Sequence, residues 1–119
     1  MILFSFHNDG QVTPAEPLRN IEIAATRRSR SGRVLAPAER ISVEHALRAE
    51  TINRAYQLFS DHEVGSIAPG KFADLVVLAR SPLDSWEADA QGDAPAVGSI
   101  ADIRVLETVL GGVTVYLAE

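Results

Sequence analysis

The stretch that most constrains this chain is Gly65–Leu78, which reads GSIAPGKFADLVVL. Its Pro69-Gly70 pair puts a residue with preset φ before one that accepts positive φ, which a type II turn requires. The turn delivers the chain into Ala73–Leu78, which ends in four successive apolar residues. An unbroken apolar run of this kind suits a strand covered on both faces rather than one with a solvated side. Further along, Ile103 to Val109 and Val113 to Leu117 are β-rich runs separated at Gly111-Gly112, a strong hairpin signal. Between these regions, residues 81–99 carry Pro, Gly, Ala and four acidic side chains and read as a solvated acidic loop.

The first half of the chain has a different periodicity. Ile2, Phe4, Phe6 and Asn8 alternate with Leu3, Ser5, His7 and Asp9, as the two sides of a strand do. One side is apolar and the other turns polar toward its C-terminal end, and Asn8-Asp9-Gly10 closes the strand with a turn. Pro17 suits the first turn of a helix, and Leu18, Ile21 and Ala25 recur at helical spacing, which predicts a short helix over 17–28. Arg27, Arg28, Arg30 and Arg33 then fall in a polar loop. Ser42 is a suitable N-cap for a long helix over 42–60. There Val43, Ala46, Leu47, Ala55 and Leu58 share one face, while Ala49, Ile52, Tyr56 and Phe59 widen the apolar stripe. No glycine or proline interrupts it.

Composition removes several functions. The chain has 119 residues, 46% hydrophobic and 23% charged, so it can form a folded domain rather than a disordered tail. Its 11 basic and 16 acidic side chains give a net charge of −5, which argues against non-specific nucleic-acid binding. The arginine loop reads as solvated, offset by nearby Glu22 and Glu39. No cysteine is present, so there is no disulfide framework, thiolate metal site or cysteine nucleophile. No apolar run approaches a membrane span and the apolar start is too short for a signal peptide, so the expected location is the cytoplasm.

His7 and Asp9 are the residues with chemical potential. Two apart in a strand, they project to the same side, an imidazole beside a carboxylate, and both are donors suited to a divalent metal such as zinc. Two donors do not make a centre, because catalytic zinc takes three protein ligands and a water. The pair read by spacing alone also suits a strand-end His and Asp that hydrogen-bond a turn. His45 and His62 belong to no ligand motif and read as surface or packing residues.

Four segments together resemble a known family. His7-Asn8-Asp9-Gly10, Val12-Thr13-Pro14, Pro17-Leu18 and Thr26-Arg27-Arg28 resemble the last barrel strand and following helix of metal-dependent amidohydrolases, closest to the amidohydrolase-3 group. Ile41–Leu47, with Thr51 and Ala55, resembles the helix between the barrel and the terminal β region. Gly65–Leu78 is similar to the family's G-S-I-x-P-G-K-x-A-D-L-V-V-L stretch. Val105, Thr108, Gly111-Gly112 and Val115-Tyr116 resemble its last hairpin. The resemblance covers almost the whole chain outside 81–99.

What the resemblance implies is an α/β chain forming the C-terminal end of a (β/α)₈ TIM barrel, its last strand and helices, followed by part of a small β-sandwich. Residues 1–62 would be the barrel part and 63–119 the β-rich part. Active sites of such barrels lie at the C-terminal ends of the strands. By resemblance, Asp9 ligates the metal and serves as general base, and His7 faces the same cavity as a second active-site residue. The implied cofactor is a divalent metal, zinc by expectation, whose bound water acts as nucleophile. The implied reaction is hydrolysis of a non-peptide carbon–nitrogen bond in a small amide, formamide or cyclic amide. Lys71 takes no catalytic role in this reading, since Pro69-Gly70 and Lys71–Asp74 shape a turn and seat a strand. The family's H-x-H pair, its bridging lysine or glutamate and two further histidines have no counterparts here, and Asn8 and Gly10 stand where serine and proline are often found. The partner implied is therefore a barrel portion or a second copy of the chain, and neither nucleic acid nor membrane. The competing reading is a non-catalytic, stand-alone β-rich module or oligomerisation remnant.

Overall fold

Pro17 opens the first helix, α1 (Pro17–Thr26), where its missing N–H would have lacked an intrahelical partner anyway. The computed structural model describes residues 2–85 and 99–119 of the chain. α1 ends one residue short of the arginine loop. Arg27 takes the left-handed conformation (φ 56°) and its N–H bonds the Ile23 carbonyl at 2.7 Å. The loop folds back on itself through an Arg28–Val34 bridge and a 2.8 Å bond from the Ser29 N–H to the Arg33 carbonyl. Its arginines serve local structure: Arg27 Nε donates to the Leu35 carbonyl and Arg28 Nη1 to that of Gly32.

Ser42 caps the next helix as its side chain predicts, accepting the His45 N–H at 3.2 Å, a contact of the kind worth about 1 kcal/mol. The single helix expected over 42–60 is instead two: α2 (Val43–Glu50) and α3 (Ile52–Gln57), broken at Thr51 with φ −119° and ψ −97°. The Thr51 hydroxyl bonds the Leu47 carbonyl at 2.7 Å, the local competition by which threonine bends helices. Gly65 presses on the break from outside. A Cβ there would lie 2.7 Å from the Ala55 Cβ and 3.0 Å from the Ile52 Cα.

The core lies where α1 crosses α2. Ile21, Ala24 and Ala25 meet Val43 and Ala46, and Ile100 and Ile103 close the cluster from the turn before the last strands. Alanines at the crossing let the helix axes approach closely, and each buried isoleucine contributes roughly 1.5–3 kcal/mol. The apolar stripe is buried as far as Ala55, and its far end is not. Tyr56, Leu58 and Phe59 are exposed, Phe59 at 87%.

The β region is a three-stranded antiparallel sheet in the order β1 (Leu75–Leu78), β2 (Val105–Leu110), β3 (Val113–Leu117). Gly70 adopts φ 89° and the Lys71 N–H bonds the Ala68 carbonyl at 3.2 Å, so the type II turn forms as expected. Gly111 and Gly112 both have positive φ and join Leu110 to Val113 in a two-residue hairpin. Lys71 is structural: its ammonium donates to the Asp61 carbonyl, to Ser66 Oγ at 2.7 Å and to the Val64 carbonyl at 3.3 Å. Asp74 accepts the Gly111 N–H at 2.7 Å, tying the start of β1 to the hairpin turn.

Two expectations about strands are corrected. The run Leu75–Leu78 is not covered on both faces; three of its four residues are exposed, Val76 at 55%, because among the described residues only Leu78 reaches the core. Residues 2–8 form no strand, since no neighbouring strand among the described residues offers them a ladder. They run without regular structure and bond instead to helix side chains: Asn53 Nδ2 donates to the Phe4 carbonyl at 3.2 Å and Arg54 Nη2 to the Phe6 carbonyl. Most of the acidic loop at 81–99 lies outside the described residues. Where it returns, Arg80 Nη2 donates to the Ser99 carbonyl at 2.8 Å, and Glu22 accepts from Ser99 Oγ and from the Ala101 N–H. No described helix is long and apolar enough to cross a membrane.

Candidate functional site

The candidate site grows from the turn that follows residues 2–8. Asp9 sits at φ 52° and Gly10 at φ 35°, so the chain reverses through two left-handed residues, a conformation aspartate tolerates better than most. The Val12 N–H bonds the Asp9 carbonyl at 2.8 Å. The Asn8 carbonyl accepts both the Thr13 N–H at 3.2 Å and the Thr13 hydroxyl at 2.6 Å. These bonds fix the backbone and leave the Asp9 residue exposed.

His7 and Asp9 do not share a strand face, because residue 9 has already left the extended conformation. His7 lines a cavity of about 430 Å³ with Asn8, Thr13, Asn20, Arg28 and Arg30 among its neighbours. It also lines a second cavity of about 330 Å³ with Phe6, Ala24 and Arg27. Asp9 is among the lining residues of neither. Arg19, at the edge of the larger cavity, is engaged with Glu16 at 2.6 Å.

Beneath the turn lies a polar network that the sequence reading did not single out. Asn8 and Asn20 exchange two amide hydrogen bonds, each 3.0 Å. Asn20 Nδ2 also donates to Glu50 Oε1 at 2.7 Å. The Glu50 side chain is only 4% exposed, and its Oε2 lies 2.8 Å from Arg54 Nη2, a contact of charge rather than of hydrogen-bond alignment. The signal was present in the sequence: Glu50 falls on the stripe of Val43, Ala46 and Leu47 where an apolar residue belongs, with a cation four residues on.

His45 and His62 stay apart from this region. His62 lies 3.8 Å from Glu63 on the surface, and His45 is exposed. Among the described residues no three His, Cys, Asp or Glu side chains come together as a metal centre requires. Asp9 has the donor chemistry for one ligand position, and the chain's described residues do not complete the set.

The amidohydrolase family model matches residues 2–116. The chain is 36% identical over 114 residues to N-substituted formamide deformylase of Arthrobacter pascens and 34% identical over 115 residues to Protein LONG AFTER FAR-RED 3 of Arabidopsis thaliana. Each match covers 96% of this chain but only 19% and 18% of the respective relative, so the chain spans about a fifth of their length. A 38-residue stretch is 55% identical to imidazolonepropionase of Picrophilus torridus, covering 32% of this chain and 10% of that protein. A solved amidohydrolase from Thermotoga maritima superposes with a TM-score of 0.66 at 27% identity, over 98% of this chain and 24% of that one. With a family match running through nearly its whole length, the chain belongs to the amidohydrolase family.

Proposed function

We propose that the chain is the C-terminal part of a metal-dependent hydrolase of non-peptide carbon–nitrogen bonds, with Asp9 as a metal ligand and general base. In this reading residues 1–62 belong to the end of a (β/α)₈ barrel and 63–119 to a composite β-sandwich. The observation that carries it is the family match through Asp9 and the turn on which Asp9 is held. Asp9 would give one ligand to a divalent metal, zinc in this reading, which when bound would make water more acidic and polarise the scissile carbonyl. The chain's own part is proton handling. The Asp9 carboxylate, exposed on a fixed turn, accepts a proton from the attacking water and returns it to the leaving nitrogen. His7, on the wall of the neighbouring cavity, contacts the substrate. Similarity to N-substituted formamide deformylase favours a formamide among the amide, formamide and cyclic amide substrates.

The scarcity of donors among the described residues favours a second reading, a non-catalytic module built on the 65–117 region. One experiment separates the two. The chain is mixed with a polypeptide carrying the barrel portion of a family relative, then assayed for retained zinc and for formate release from an N-substituted formamide. Zinc and turnover appearing only in the mixture support the hydrolase. A mixture with neither, beside a monomer that melts cooperatively alone, supports the module.

A further inference from the structure

We infer that Asn20 is a positioning residue for the Asn8-Asp9-Gly10 turn, acting through Asn8 and itself oriented by the buried Glu50 carboxylate, which pairs with Arg54; this rests on the role proposed for Asp9. The orientation of each amide follows from its partners. The Glu50 carboxylate only accepts, so Asn20 must present its amino group to it. One Nδ2 hydrogen goes to Glu50 Oε1 at 2.7 Å and the other to Asn8 Oδ1 at 3.0 Å. Asn20 Oδ1 then accepts from Asn8 Nδ2 at 3.0 Å, which leaves Asn8 a single orientation.

The far end of the network closes on the same segment. Arg54 lies against Glu50 Oε2 and donates to the Phe6 carbonyl. Residues 6 and 8 are therefore both held, one by its backbone and one by its side chain, on either side of His7. The segment lacks a ladder among the described residues, so these side chains supply constraints that a neighbouring strand would otherwise provide. Burying a carboxylate at 4% exposure is costly unless it is paired and hydrogen-bonded. Here that buried charge fixes a donor–acceptor sequence that ends one residue before Asp9.

The test reads the turn and not activity. In the full chain, amide exchange by NMR is compared at Val12 and Thr13, whose N–H groups bond the Asp9 and Asn8 carbonyls, and at the β2–β3 hairpin. Asn20→Leu should speed exchange at Val12 and Thr13 by about tenfold, the scale of one or two lost hydrogen bonds, and leave the hairpin within about twofold. Asn20→Asp keeps an acceptor for Asn8 Nδ2 but has no donor for Asn8 Oδ1 or Glu50, so it should speed exchange at the same two amides and leave the hairpin unchanged. Exchange at Val12 and Thr13 unchanged by Asn20→Leu overturns the inference. If Asn20→Leu unfolds the chain, Asn8→Ala decides: it removes only the amide pair, and unchanged exchange at the two amides is again contradictory. Protection lost as expected beside an inactive assembly would keep the network and remove the catalytic role of Asp9. Unchanged protection in an active assembly would do the reverse.

Discussion

The helical crossing and the three-stranded sheet carry similar apolar residues and treat them in opposite ways. At the crossing, Ile21, Ala25, Ala46 and Ile100 are sealed from water. In the sheet, Val76, Val113, Val115 and Leu117 remain exposed, and β1 and β3 are its edge strands among the described residues. Between the two regions lies a cavity of about 500 Å³ walled by Leu18, Leu47, Val76, Leu78, Ile103 and Val105. The difference teaches that apolar patterning specifies a layer, while burial depends on a second layer being present. The helices contain both of theirs. Among the described residues the sheet has one, and its exposed aliphatic face has the character of an interaction surface.

The contrast can be broken directly by truncating one residue from each region. Ile103→Ala should lower stability by about 2–5 kcal/mol, since it empties a filled core position, whereas Val76→Ala should cost less than about 1 kcal/mol in the chain alone. Urea unfolding of both variants checks this, and equal losses would mean the sheet is as well packed as the helices. Gly65→Ala should cost about 2–4 kcal/mol, because the added methyl collides with α3 and the backbone sits at φ 87°. Its melting temperature tests whether the break between α2 and α3 is a packed junction.

The smallest effect should be a gain. After α3, Phe59 occupies a left-handed position (φ 57°), with the Ser60 N–H bonded to the Ala55 carbonyl at 2.9 Å and the Phe59 N–H to the Tyr56 carbonyl at 3.0 Å. This is the helix-ending arrangement that favours glycine. Phe59→Gly should stabilise the chain by about 0.5–1 kcal/mol, because the ring buries little and the backbone strain is relieved. A lower melting temperature would show that the ring contributes packing its exposure conceals.

Much of this was legible in the sequence where the determinants are local. Pro69-Gly70, Gly111-Gly112, Ser42 and Pro17 each act within four residues, and each forms the turn, cap or helix start that its chemistry requires. The failures came where the outcome depends on a distant partner. Thr51 alone is a weak local mark for a helix break, and Gly65, which meets the helix there, comes from fourteen residues away. The apolar run of β1 reports a strand made to be covered, and the alternation of residues 2–8 one made to be paired; neither finds that neighbour among the described residues. The candidate site divides in the same manner. His7 and Asp9 stood out by residue type, while Asn20 and Glu50 acquire meaning only once α1 and α2 bring them beneath the turn.

In the proposed assembly it is Asp9 that handles the proton. The most direct measurement is kcat/KM for an N-substituted formamide, using the chain assembled with a barrel-bearing partner and comparing Asp9 with Asp9→Asn. The account predicts a fall of about 10²–10⁴-fold, the usual contribution of a positioned general base, with amide protection in the β2–β3 hairpin unchanged. Activity within about threefold of the unsubstituted assembly would contradict it and leave Asp9 as a turn residue alone.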